Sequence, residues 1–162
     1  MQKFIFFILL FVVMNRAFGQ NAAVAMQNQN FIRDTAKVFD EIRRMHQADQ
    51  QARNIKKKSE RMKQMDELAL LHTGRLIELL NDYGYPSTYR FKNPSLNNVP
   101  VLVLFDHAEM SKRDTLHQLL TKEKELDRIS KQDYALIKWH LNGRKGVPDF
   151  DSTSGIKIKV SK

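Results

Sequence analysis

From Phe31 onward, side chains suited to burial recur at alternating intervals of four and three residues. Phe31, Thr35, Val38, Ile42 and Met45 fall on one stripe, which predicts a helix running to about His46 or beyond. A second stripe, Met62, Met65, Ala69, His72, Leu76, Leu79 and Tyr83, keeps the same rhythm through good helix formers. Gly84, placed ahead of Pro86, is expected to stop it as a left-handed cap. Ser111 with Asp114, and Ser130 with Asp133, have the spacing of capping boxes whose acid is shortened from Glu. The helices they open would bury Leu116, Leu119, Leu120 and Leu126, and then Tyr134, Ile137 and Leu141, with Asn142 and Gly143 closing the last one.

Three stretches fit this rhythm less simply. Residues 87–99, with Pro94 and several Asn and Ser, read as the main loop. The apolar run at residues 100–105 suits either a buried strand or a buried helix. Helix is favoured, because Asn98 can cap it, Pro100 suits a first turn, and a strand of similar strength to pair with is missing. Ile156, Ile158 and Val160 alternate with lysines, a strand signal without an evident edge, so the end of the chain either docks or stays mobile. The fold class expected is all-α: one bundle of about four or five helices over residues 31–150. A basic C-terminal tail over residues 151–162, as a short strand or a mobile segment, would follow it.

The first 19 residues have another character: Lys3, then an unbroken apolar run of 11 residues from Phe4 to Met14, then a polar break ending in Ala17-Phe18-Gly19. A bilayer core needs roughly 20 apolar residues, so the run suits a signal peptide better than an uncleaved anchor. Cleavage near Gly19 is expected, leaving a soluble periplasmic or extracellular protein of 143 residues that begins with a flexible leader over residues 20–30. With no cysteine, that protein has neither a lipidation site nor a disulfide. Its size suits one domain whose core must suffice alone.

Processing would also change the charge: without Lys3 and Arg16 the net is +7 rather than +9. Much of the excess lies between Arg53 and Lys63, including Lys56, Lys57 and Lys58, as a solvated helix face or a patch for an envelope glycan or lipid surface. Aromatic residues are not interleaved with these lysines and the usual nucleic-acid motifs are missing, so specific nucleic-acid binding is not expected.

Candidate chemistry is sparse. Asp49 and Arg53 are spaced for an ion pair one helical turn apart, acid first, either on the surface or, with Gln50, turned inward to hold a carboxylate or phosphate. Asp106 and His107 end the most apolar run after the signal, where a partly buried imidazole could act as acid or base. His72 lies on an apolar stripe, whereas His46, His117 and His140 read as exposed. Metal-ligand spacing, GxSxG, P-loop and dinucleotide signatures are all missing, so neither a metal nor a cofactor is expected. Asp82-Tyr83-Gly84-Tyr85-Pro86 reads as a cap with a rigid exit or as the floor of a cleft. Trp139, Arg144, Pro148 and Phe150 would close the bundle's end or present Arg144 to a ligand.

DQQAR (residues 49–53), DYGYP (residues 82–86), His107-Ala108 and the segment 139–148, in this order, resemble an uncharacterised bacterial family of exported helical domains over roughly residues 40–150. The resemblance implies a shared helical fold and a polar group at Asp49, Gln50, Arg53, His107 and Arg144, with no activity attached. This chain has Asp106 where the family pattern has Gln, Gly143 where it has an acid, and Val147-Pro148-Asp149-Phe150 in place of a Gln- and Tyr-Gly-rich ending. The leading expectation is a binding or structural module that captures an anionic small molecule through Arg53 and Arg144, oriented by Asp49, Gln50 and His107. The alternatives are a hydrolase-like enzyme using His107 as base with Asp49 or Asp106, and a partner- or envelope-binding protein acting through the basic helix.

Overall fold

The computed structural model describes residues 2–87, 90 and 101–149, with side chains from residue 21 onward. Among these residues lie five α-helices and no strand: α1 (Gln2–Arg53), α2 (Lys58–Tyr83), α3 (Val101–Asp106), α4 (Arg113–Glu125) and α5 (Lys131–Leu141). A 3-10 turn at Met110–Lys112 precedes α4. The chain is therefore the expected all-α bundle, and the ambiguous apolar run is a helix from Val101 onward. No helix among the described residues is long and apolar enough to cross a membrane. The expected tail strand lies outside the described residues.

α1 and α2 form an antiparallel hairpin, pinned by polar bonds that join early α1 to late α2. Gln27 Nε2 donates to the Asn81 carbonyl at 2.6 Å, and Tyr83 Oη donates to Asp34 at 3.1 Å. Midway, Arg75 grips Glu41 through two parallel bonds, Nε to Oε1 at 2.5 Å and Nη2 to Oε2 at 3.0 Å. The stretch 20–30, read as a flexible leader, belongs to α1, and its Gln27 takes part in this pinning. Nothing between Gly19 and Phe31 breaks a helix, and Ala, Met and Gln favour one.

The core follows the two stripes only in part. Phe31, Val38, Ile42 and Met45 of α1 are buried, joined by Phe39, while α2 buries His72, Thr73, Leu76, Leu79, Leu80 and Tyr83. Met62, expected on the buried stripe, is 50 % exposed, and Met65 is only partly covered. A helical period aligns side chains, but burial needs an opposing element, and α3, α4 and α5 seal the half of the hairpin nearer Tyr83. They contribute Val101, Leu104, Phe105, Leu116, Leu120, Tyr134, Ile137 and Leu141 to one cluster. Leu126, expected in that core, is 40 % exposed at the end of α4.

The helix ends show which local signals act. Ser130 Oγ accepts the Asp133 N–H at 3.0 Å, as its spacing predicts. Ser111 does not cap α4. It sits inside the 3-10 turn, where the Glu109 carboxylate accepts its N–H at 3.0 Å and also its hydroxyl proton. Gly84 ends α2 at φ 73° with its N–H on the Leu80 carbonyl, but its ψ of −176° makes it an extended turn rather than a left-handed one. A Cβ there would lie 2.7 Å from Arg128 Cζ and 2.9 Å from Glu123 Oε2. Those two residues form a buried ion pair at 2.5 Å, and Glu123 also accepts the Tyr85 N–H at 2.7 Å. The DYGYP segment thus serves the fold: glycine lets the backbone lie directly on a buried guanidinium.

Candidate functional site

Three helix ends meet on one side of the bundle. Arg53 is the last residue of α1, Asp106 the last of α3, and Arg144 follows α5 by one turn of backbone. The partial negative charge of a helix C-terminus suits the two arginines in these places.

The first half of the site is built on Asp49, which is 5 % exposed. Its Oδ2 accepts Arg53 Nε at 3.0 Å, and Gln50 Nε2 reaches back to the same oxygen at 3.3 Å. Its Oδ1 lies 3.0 Å from His107 Nδ1. Arg53 also closes on the imidazole, with Nη2 at 3.1 Å from Nδ1 and against Nε2. Asp49 favours the Nδ1–H tautomer of His107, which leaves Nε2 as the acceptor facing the guanidinium. Burial and the Arg53 charge push the His107 pKa down, against the pull of Asp49, so the ring is neutral at pH 7. His72 lies on the adjacent face of α2, and burial lowers its pKa too, again opposed by Asp49.

The second half centres on His140, which sequence patterning reads as exposed. Its side chain is only 12 % exposed, because the last turn of α5 packs against α3. Nδ1 accepts Arg144 Nε at 2.9 Å, so the ring proton sits on Nε2, which faces Asp106 Oδ1 at 3.0 Å. That approach lacks hydrogen-bond alignment, and Asp106 Oδ1 is a buried acceptor without a bonded partner among the described residues. Burial raises the Asp106 pKa to about 6, with Arg144 pulling the other way. Asp106 therefore serves His140 and not His107, and Asp49 is the carboxylate that faces His107.

Arg144 is held by its backbone as much as by its side chain. It is one of two non-glycine residues with positive φ among the described residues, at 59°, between Gly143 at 73° and Gly146 at 71°. Its N–H closes on the Trp139 carbonyl at 2.9 Å, and the indole N–H donates to the Gly146 carbonyl at 3.0 Å. The loop is thereby folded back on α5.

The predicted polar residues fall into two groups. Asp49, Arg53 and His107 touch one another and Gln50 is exposed but bonded to Asp49, whereas Arg144 bonds His140, which faces Asp106, the chain neighbour of His107. The signal missed in the sequence is the spacing of His140 and Arg144, which repeats that of Asp49 and Arg53: each arginine lies four residues after the group that tethers it. Both tethers use Nε, which leaves Arg53 Nη1 and both Nη atoms of Arg144 without a bonded partner among the described residues. Among those residues, no group of three or more His, Asp or Glu is arranged to hold a metal ion. In comparisons with known proteins, no family model, curated protein or solved structure matches this chain.

Proposed function

We propose that this is an exported binding module that captures a small anion, a carboxylate or phosphate group, between the Arg53 and Arg144 guanidinium groups. The observation that carries the reading is the shared tether: each arginine is fixed through Nε to a neighbouring side chain, which leaves Arg53 Nη1 and both outer nitrogens of Arg144 for a ligand. Planar forks held this way bind oxyanions with little loss of side-chain freedom. Export rests on the segment of residues 1–19, and a cleaved chain of net charge +7 would attract anions at long range.

The Asp49–His107 contact at 3.0 Å supports a second reading, acid–base catalysis with His107 as base and Asp49 as its orienter. It is the weaker reading, because the nitrogen that would take the proton faces Arg53.

Thermal denaturation with inorganic phosphate, sulfate and citrate tests the proposal. A saturable rise in Tm is expected for the wild type, and its loss in Arg53→Gln and Arg144→Gln. A rise that survives both changes but disappears when Lys56, Lys57 and Lys58 become Gln would transfer the role to the basic turn between α1 and α2, where Lys56 and Lys57 lie instead of on the expected helix face. Hydrolysis of any bound ester, lost in His107→Gln, would favour the enzyme.

A further inference from the structure

Arg144, His140 and Asp106 form one line from solvent to the half-buried Asp106 carboxylate. Arg144 Nε donates to His140 Nδ1 at 2.9 Å, and His140 Nε2 faces Asp106 Oδ1 at 3.0 Å. His107, just past the end of α3 and next to Asp106, carries the neighbouring charges: Asp49 and Arg53 of α1 contact it, and His72 of α2 lies near Asp49. Arg113 of α4 comes up beside Gly143, with Nη1 3.8 Å from where a Cβ on that glycine would stand.

With the imidazoles neutral, Asp49 and Asp106 offset Arg53 and Arg144, and Arg113 beside Gly143 adds a further positive charge. Each added proton raises that excess by one. We propose that anion capture at this site is coupled to proton uptake by the Asp106–His140–His107 cluster, so that the protein binds its anion tightly in mildly acidic surroundings and releases it as the pH rises. This deepens the anion-capture reading and rests on it.

The sign follows from Arg144. Its charge holds protons off Asp106, His107 and His140 alike. An anion on its outer nitrogens offsets that charge, so each of the three groups then binds protons more readily. Because linkage is reciprocal, protonation must tighten anion binding to the same extent. The three groups respond in the same direction, so their contributions reinforce one another. Asp106 takes part near pH 6, where burial places its titration, and its buried oxygen has no hydrogen-bond partner among the described residues.

Titration calorimetry with inorganic sulfate, which stays a dianion across the range, tests the coupling at constant ionic strength. Wild-type affinity is expected to rise at least about fivefold between about pH 8 and about pH 5.5, the ceiling being about tenfold per pH unit for each coupled proton. Parallel titrations in buffers of different ionisation enthalpy should count net proton uptake. Asp106→Asn, which copies the protonated acid, is expected to bind at the higher pH nearly as well as the wild type does at the lower. Equal wild-type affinity at both pH values, without proton uptake, would overturn the coupling and leave anion capture standing. Sulfate binding at neither pH would overturn both. A pH dependence that persists unchanged in Arg144→Gln would trace it to overall protein charge and also sink the coupling. If Asp106→Asn does not fold, the wild-type proton count decides alone.

Discussion

Asp49 and His107 face each other at 3.0 Å, and that contact ties the C-terminal end of α1 to that of α3. Asp49 is buried, whereas its partner Arg53 keeps a side chain 39 % exposed that water can resolvate. Asp49→Ala is therefore expected to cost about 1–3 kcal/mol rather than the larger amount that stranding a fully buried charge would cost. Urea denaturation measures it. A loss below about half a kcal/mol would mean that Asp49 carries little of the site's structure.

Asp106 gives the fold a pH dependence of unusual sign for an acid. Its folded pKa of about 6 lies above the ordinary aspartate value, so the folded state holds this proton more tightly than the unfolded chain. The contribution to stability is complete below about pH 4 and is lost as the pH rises through about 6, amounting to at most about 3 kcal/mol. Asp106→Asn is accordingly expected to raise Tm at about pH 7.5 and to leave it nearly unchanged at about pH 4. The lowered histidine pKa values act oppositely, removing stability as the pH falls through them, and are common to both proteins. A Tm difference that does not vary with pH would contradict the assignment.

Two glycines of the α2 region should respond in opposite directions. Gly84→Ala places a methyl 2.7 Å from Arg128 Cζ at a φ of 73°, and a loss of about 2 kcal/mol or more is expected. Gly74 lies within α2 with nothing within 4 Å of a Cβ, so Gly74→Ala should gain about 0.5–1 kcal/mol from helix propensity alone. Equal effects in chemical denaturation would refute the packing role given to Gly84.

Glu123 and Arg128 are both nearly fully buried, and the Arg128 Nε and Nη1 groups have no hydrogen-bond partner among the described residues. Glu123→Ala leaves the guanidinium without its counter-charge and is expected to cost about 3–5 kcal/mol. Replacing both residues with Met should recover much of that loss, because the pair's net worth is small once both charges are gone. A double variant as unstable as the single one would assign the loss to shape rather than charge.

Much of this architecture is legible in local chemistry. Alternating spacings from Phe31 to Met45 and from His72 to Tyr83 mark faces that the bundle does bury, and Ser130 caps where its sequence says it should. Local pattern fails where the deciding partner is distant. Met62 continues the α2 stripe but meets no opposing helix, and Ser111 loses its capping role because Glu109 reaches it first within a turn. The site divides in the same way. Asp49 and Arg53 announce themselves by spacing, but only the arrival of α3 gives Asp49 its histidine. His140 looks like a surface residue until α5 settles against α3 and sets it between Asp106 and Arg144.

The left-handed backbone at Arg144 separates stability from purpose at a single position. A β-carbon in that conformation costs about 1 kcal/mol relative to glycine, so Arg144→Gly should yield a protein that melts higher while losing half of its candidate anion clamp. Selection for stability alone would drift this position toward glycine. An arginine held there, with Trp139 already fastening the loop, spends no further ordering when a ligand arrives, because its backbone was fixed during folding.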